Sequence, residues 1–190
     1  MGRRRMATDQ KKARRQGATL IFVDESGFSL IPTRVRTWAP RGVTPVVTHC
    51  YRWPKFSAIS GVTTDRRLFI MVRRGTIATP QAIVFLRHLL RHIHGKIVLV
   101  WDNLNTHKSV AVRAFVAAHH ERINIEYLPA YAPELNPDEG VWRYLKHVEL
   151  GNFAPRNLGE LKHALRRSVK KMQRRPNLIA GFIKQTGLFF

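Results

Sequence analysis

Ile97-Val98-Leu99-Val100-Trp101-Asp102 is a run of five apolar residues closed by an acid. A run this short, with no polar residue alternating through it, reads as a β-strand buried on both faces. Such strands belong to sheets covered by helices on either side. The pattern occurs once more, in Leu20-Ile21-Phe22-Val23-Asp24. Both acids directly follow a buried strand, and the C-terminal ends of such strands are where α/β sheets place their sites.

Residues between and around the two runs complete the pattern. Segments 55–63 and 67–73 are rich in β-branched and aromatic residues, and the turn-like Thr64-Asp65 between them predicts a hairpin. Arg36 to Gly42 followed by Val46-Val47-Thr48 predicts a turn and a further strand. A helix capped by Thr79, with Pro80 in its first turn, carries the stripe Ala82, Ile83, Leu86, Leu89, Leu90 and Ile93 up to Gly95. After the 97–101 strand, a helix over 109–120, a strand over 123–128 and a helix opened by Asn136-Pro137 follow. The last long helix puts Leu158, Leu161, Leu165, Val169 and Met172 on one face. Trp38, Trp53 and Trp142 are expected to be packing residues, the alternative being that an aromatic near a DNA groove stacks on an unpaired base.

The fold class is α/β, a mixed sheet of three antiparallel strands followed by parallel strands, with flanking helices. The ribonuclease H-like arrangement fits this order, although the pattern alone does not select it. With no repeat and no linker, residues 18–190 read as one domain preceded by a basic, flexible arm over 1–17.

The 190 residues hold 33 Lys plus Arg against 12 Asp plus Glu, a formal net charge of +21. Such an excess calls for a polyanionic partner, nucleic acid first and an anionic membrane surface second. The single cysteine, Cys50, excludes a disulfide scaffold and fits a reducing, cytoplasmic compartment. No apolar run approaches the roughly 20 residues that span a bilayer.

In so basic a chain the few acids are informative by position. If the helix opened by Asn136-Pro137 packs on the sheet, its first turn brings a third carboxylate towards Asp24 and Asp102. Spacing leaves Asp138 and Glu139 equally eligible. Clustered carboxylates repel unless positive charge compensates, and oxygen-only ligation selects Mg2+ or Mn2+ over zinc. Two such ions suit a phosphodiester displacement. Each acid also has a plainer reading, as a turn residue or a favourable charge at a helix start.

Val23-Asp24-Glu25-Ser26-Gly27, Trp101-Asp102-Asn103 with His107, and the stretch Leu128 to Trp142 containing Asn136-Pro137-Asp138-Glu139 resemble the DDE transposases of the Tc/mariner superfamily, in particular their bacterial insertion-sequence branch (IS six-thirty type). Arg36 to Gly42 resembles the turn those enzymes carry after the first strand. The resemblance implies a ribonuclease H-like fold with Asp24, Asp102 and Glu139 as the catalytic, metal-binding triad. It thereby chooses Glu139 over Asp138, where an apolar residue is more usual. The 36 residues between Asp102 and Glu139 are near the family's short interval. It further implies two Mg2+ or Mn2+ ions, DNA cleavage and strand transfer, transposon-end and target DNA as partners, a dimer on DNA, and a bacterial, nucleoid-associated setting.

Asn103 and His107 are expected either to orient the site or the DNA strand or to cap the loop after Asp102. Glu25 should point to the opposite side from Asp24 and is not expected to be a ligand. Arg3, Arg4 and Arg5 in the arm, and Arg166, Arg167, Lys170, Lys171, Arg174 and Arg175 on the last long helix, are the expected phosphate contacts. Neutralising about six phosphates gives a log–log salt slope near −5. Family members usually carry helix-turn-helix modules before the catalytic domain. With some 17 residues ahead of the first strand, the chain reads as a catalytic half joined to an upstream helix-turn-helix reading frame. The alternative is a catalytically inactive or truncated basic DNA-binding remnant.

Overall fold

The structure, a computed structural model, describes residues 17–49, 54–129 and 133–187. Its sheet contains β1 (Thr19–Ser29), β2 (Lys55–Thr63), β3 (Leu68–Arg74), β4 (Ile97–Trp101) and β5 (Ile123–Tyr127) in the order β3-β2-β1-β4-β5. β1, β2 and β3 pair antiparallel, whereas β4 and β5 run parallel to β1. This is the expected ribonuclease H-like arrangement. The helices are α1 (Thr79–His92), α2 (Val110–Ala118), α3 (Asp138–Arg143), α4 (Leu158–Gln173) and α5 (Pro176–Gln185); α3 continues into a wider, π-helical stretch over Tyr144–Glu149.

Alternation along β1 divides the interior into two layers. Ile21 and Val23 join α1, α2, Leu99 and Trp101 in one core. Leu20 and Phe22 pack with Val98 and Val100 on the other face, and Phe28 meets Trp142 and the residues of α4 and α5 there. The apolar runs are therefore buried on both faces, because each face of the sheet is covered.

Several boundaries differ from expectation. β1 does not stop at Val23 but runs on to Ser29 against β2, while its pairing with β4 ends at Phe22↔Val100. Asp24 thus lies within a strand, just past the point where its parallel neighbour runs out. Thr79 is the first helical residue rather than the cap; Gln81 reaches back and accepts a bond from the Ala78 N–H at 3.1 Å. Residues 46–48 form no strand. Val46 is 88% exposed and Trp38, expected to pack, is 99% exposed. This segment lies off the sheet, so its apolar residues have no layer to enter. Trp53 falls outside the described residues. No helix among the described residues is long and apolar enough to cross a membrane.

Candidate active site

The parallel pairing of β1 and β4 sets the site. Phe22 lies beside Val100, and carrying that register two residues further puts Asp24 level with Asp102. Parallel neighbours are about 4.8 Å apart, and the two strands part just where each reaches its carboxylate: β1 runs on through Asp24 against β2, while β4 ends at Trp101.

α3 closes the site from the Leu20–Phe22 face. Asn136, buried at its entrance, donates to the Val23 carbonyl at 3.4 Å and accepts from the Asp138 N–H at 3.1 Å. That pins the start of α3 to β1. One turn along, the Trp142 indole Nε1–H donates to Asp24 Oδ2 at 2.9 Å. Burial pushes the Asp24 carboxyl up to about 7; the Trp142 bond works against this shift, and repulsion from Glu25 and Glu139 adds to it. Asp24 and Glu139 are therefore electrostatically coupled, with Glu139 on the exposed side of α3.

Asp138 turns the other way. It is fully buried and accepts a bond from the hydroxyl of Ser60, the β2 residue opposite Asp24. Burial drives its pKa well above the usual carboxylate range. Its second oxygen, Oδ2, has no hydrogen-bond partner. Asp138 and Glu139, equivalent by spacing, are thus separated by environment: one side chain is fully buried against Ser60 and the other is exposed.

Asp102 does not project along the strand direction that would place it with Asp24. β4 ends at Trp101, and Asp102 Oδ1 accepts from the Leu104 N–H at 3.3 Å while lying 2.5 Å from His107 Nδ1. His107 is buried and stacks on Trp101 with ring centroids 3.9 Å apart. Its Nε2 reaches Glu25 Oε2 at 3.2 Å. Burial disfavours the imidazolium, yet the two carboxylates outweigh it and hold the His107 pKa near 9.

Glu25 does point away from Asp24, as alternation requires. The far face, however, is where His107 and Asp102 meet it, and the potential ligand atoms of Glu25, Asp102 and His107 all lie within 4.8 Å of one another. Buried Glu25 Oε1 has no hydrogen-bond partner. The described site is therefore two groups, Asp24 with Glu139 on the α3 face and Asp102 with His107 and Glu25 on the other. Glu25, Ser60 and Trp142 are the residues that sequence reasoning left out. Trp142 was legible in part, since its place three residues after Glu139 put it on the same helix.

Asn103 is exposed in the turn after Asp102. Arg166, Arg167, Lys170, Lys171, Arg174 and Arg175 are all exposed on or just after α4. Lys171 pairs with Glu149 at 2.7 Å and Arg175 donates to the Tyr144 hydroxyl at 3.1 Å. Arg3, Arg4 and Arg5 lie outside the described residues.

The chain is similar in structure to a pre-cleavage Mos1 transpososome (TM-score 0.65, 16% identity, covering 98% of this chain and 61% of that one). It is also similar to the Mos1 mariner paired end complex with Mn (TM-score 0.62, 17% identity, 97% of this chain and 61% of that one). The catalytic domain of Mos1 mariner transposase alone matches with a TM-score of 0.59 and 15% identity over 100% of this chain and 94% of that one. The chain thus spans about three-fifths of the fuller Mos1 chains and nearly all of their catalytic domain. At these identities the likeness shows the fold. No curated protein matches the chain. The family model for the DDE superfamily endonuclease matches residues 19–162, more than half of the sequence and every carboxylate described above. The chain belongs to the DDE superfamily endonucleases.

Proposed function

We infer that this chain is the catalytic domain of a DNA transposase, which cleaves a DNA strand in a metal-dependent reaction and transfers the freed 3′ end to target DNA. The observation that carries the reading is that Asp24 and Asp102 lie just past the last paired residues of the adjacent parallel strands β1 and β4, Phe22 and Val100, with Glu139 coupled to Asp24 from α3. Structures sharing the fold include a Mos1 strand transfer complex and paired end complexes with Mg and with Mn, which supports the same chemistry here.

The donors fit a hard divalent cation. Asp24, Asp102 and Glu139 offer oxygen ligands, Glu25 Oε1 is a buried oxygen without a hydrogen bond, and the repulsion among Asp24, Glu25 and Glu139 is the kind that bound positive charge relieves. We assign two Mg2+ or Mn2+ ions to Asp24, Asp102 and Glu139. Bound there, such ions would supply the charge that lowers the pKa of an attacking water and offsets the negative charge on a departing oxygen. In cleavage, a water oxygen bonds to phosphorus, the P–O3′ bond breaks and the departing 3′-oxygen takes up a proton. In transfer, that 3′-hydroxyl attacks a target phosphodiester, whose own 3′-oxygen leaves. Trp142 holds the orientation of Asp24, while His107, seated on Trp101, holds that of Asp102. Asn103, exposed beside Asp102, is assigned to the DNA strand.

The exposed cations of α4 and the arm residues Arg3, Arg4 and Arg5 are assigned to DNA phosphates, with residues 18–190 as the catalytic domain and 1–17 as a DNA-contacting arm. An insertion-sequence transposase of the IS six-thirty type, paired as a dimer on DNA with a helix-turn-helix partner and acting in the bacterial cytoplasm, is the form of this reading that the motifs favour.

Asp24→Asn, Asp102→Asn and Glu139→Gln are expected each to abolish Mn2+-dependent nicking of supercoiled plasmid while DNA retention stays largely intact. Full activity in all three variants would sink the triad. Salt-sensitive binding with no cleavage by the unaltered chain would favour the DNA-binding remnant.

A further inference from the structure

Among the described residues, both polar contacts of the Asp102 carboxylate fall on one oxygen. Oδ1 accepts from the Leu104 N–H at 3.3 Å and lies 2.5 Å from His107 Nδ1, which leaves Oδ2 for a ligand. Groups that hold one oxygen of a carboxylate set the angle at which the other meets a cation. The angle of Asp102 therefore depends on how firmly His107 is held.

Two contacts fix most of His107. The Tyr127 hydroxyl donates to its carbonyl at 3.2 Å, and its ring stacks on Trp101 with the planes 15° apart. Neither contact fixes where the ring nitrogens point. A half-turn about the Cβ–Cγ bond keeps the stack and carries Nδ1 away from Asp102. Besides Asp102 itself, the described group that opposes this turn is Glu25, whose Oε2 lies 3.2 Å from Nε2. The contact made by one imidazole nitrogen sets the role of the other.

Glu25 has no competing task. Its Oε1 is buried without a hydrogen-bond partner, so His107 is the polar partner of its carboxylate among the described residues. Glu25 and Asp102 also meet different nitrogens of the ring, whose lone pairs diverge. A cation on either nitrogen would face one carboxylate only, so the three groups make a bridge rather than a chelate.

We propose that Glu25 is a positioning residue for the reaction: acting through His107, it fixes the angle at which Asp102 offers its free oxygen to a divalent cation. This deepens the transposase reading and rests on it for the task of that cation. β1 then supplies one carboxylate of the site directly, Asp24, and orients the second through the next residue on its opposite face.

The test uses the full chain and two readouts: Mn2+ affinity from the loss of the free-ion EPR signal, and nicking of supercoiled plasmid at graded Mn2+. Glu25→Ala removes the bridge and is expected to weaken Mn2+ binding on the order of tenfold. Nicking should recover most of the way at saturating Mn2+, because the bound ion then holds Asp102 itself. Glu25→Gln still bonds to His107 and should restore most of the affinity. In a His107→Ala background, Glu25→Ala should weaken binding no further, since the residue through which it acts is gone. Glu25→Met keeps the length without the acceptor and repeats the Glu25→Ala test if the smaller side chain leaves the chain unfolded in chelator.

A Glu25→Gln variant as impaired as Glu25→Ala overturns the proposal and makes Glu25 a ligand in its own right. Unchanged affinity in Glu25→Ala, or losses that add in the double variant, overturns it equally. If the unaltered chain binds Mn2+ but nicks under no condition, the transposase reading fails by itself and the affinity series still decides Glu25. A chain that takes up no Mn2+ removes both.

Discussion

The indole of Trp142 donates its N–H to Asp24 at 2.9 Å, joining α3 to the β1 carboxylate that the structure leaves beyond the reach of β4. Trp142 is also 4% exposed and sits edge-on to Phe28 with centroids 6.0 Å apart. One side chain thus fills the α3–sheet interface and orients a carboxylate.

Trp142→Phe separates those roles, since the ring remains and the N–H goes. A lost hydrogen bond to an ionisable partner is worth about 1–2 kcal/mol, and thermal unfolding in chelator should show a destabilisation of that size. The Mn2+ concentration needed for half-maximal nicking should rise, because Asp24 is left free to turn. An unaltered metal requirement would show that the indole only packs.

α3 and α5 approach through Gly140. A Cβ there would meet the Phe182 ring at 2.8 Å, closer than side-chain carbons tolerate. Gly140→Ala is expected to cost about 1–3 kcal/mol as the ring is forced aside. Glu139 is the adjacent residue, so nicking should fall more steeply than the melting temperature alone accounts for. Phe182→Leu, added to Gly140→Ala, should return part of both by making room.

The contrast between what the sequence disclosed and what it hid has a physical basis. Ile97–Trp101 and Leu20–Val23 are legible because a sheet covered on both faces gives short apolar runs, five residues and four, with no polar break. Asp24, Asp102 and Glu139 were legible because their flanks were. The same logic fails at Trp38 and Val46, whose apolar side chains are exposed because the segment has no sheet neighbour. Strand parity gives the direction of Glu25, away from Asp24 and towards His107. What parity could not supply was the bend of Asp102 out of the β4 line, through its bond to the Leu104 N–H, onto the face where Glu25 and His107 lie. Likewise Ser60 becomes part of the site only through the antiparallel register that sets it against Asp24.

His107 lies between two carboxylates, so its removal should leave them facing each other. His107→Ala loses the stack on Trp101 and the compensating charge, a combined destabilisation of about 2–4 kcal/mol after allowance for the partial exposure of Asp102. Added Mn2+ should raise the melting temperature of this variant more than that of the unaltered chain, since a cation then replaces the imidazolium. Equal shifts in the two proteins would separate His107 from the metal-binding carboxylates.

Glu149 gives a pH dependence away from the reacting groups. It ends the π-helical stretch, accepts from Lys171 Nζ at 2.7 Å, and has a pKa below its ordinary value of 4.5. Burial alone would raise that value; the bonds from Lys171 and Tyr144 overcome it. A depressed carboxylate binds its proton less readily in the folded chain than in the unfolded one. Its stabilisation is therefore complete above the unfolded value and is lost as the pH falls through the folded one. Lys171 is half exposed, so the contribution is discounted to about 1 kcal/mol. Glu149→Gln should accordingly melt below the unaltered chain at pH 7, and the gap between the two should narrow as the pH is lowered beneath 4.5. A gap that stays constant across that range would show that the Glu149–Lys171 ion pair contributes no net stability.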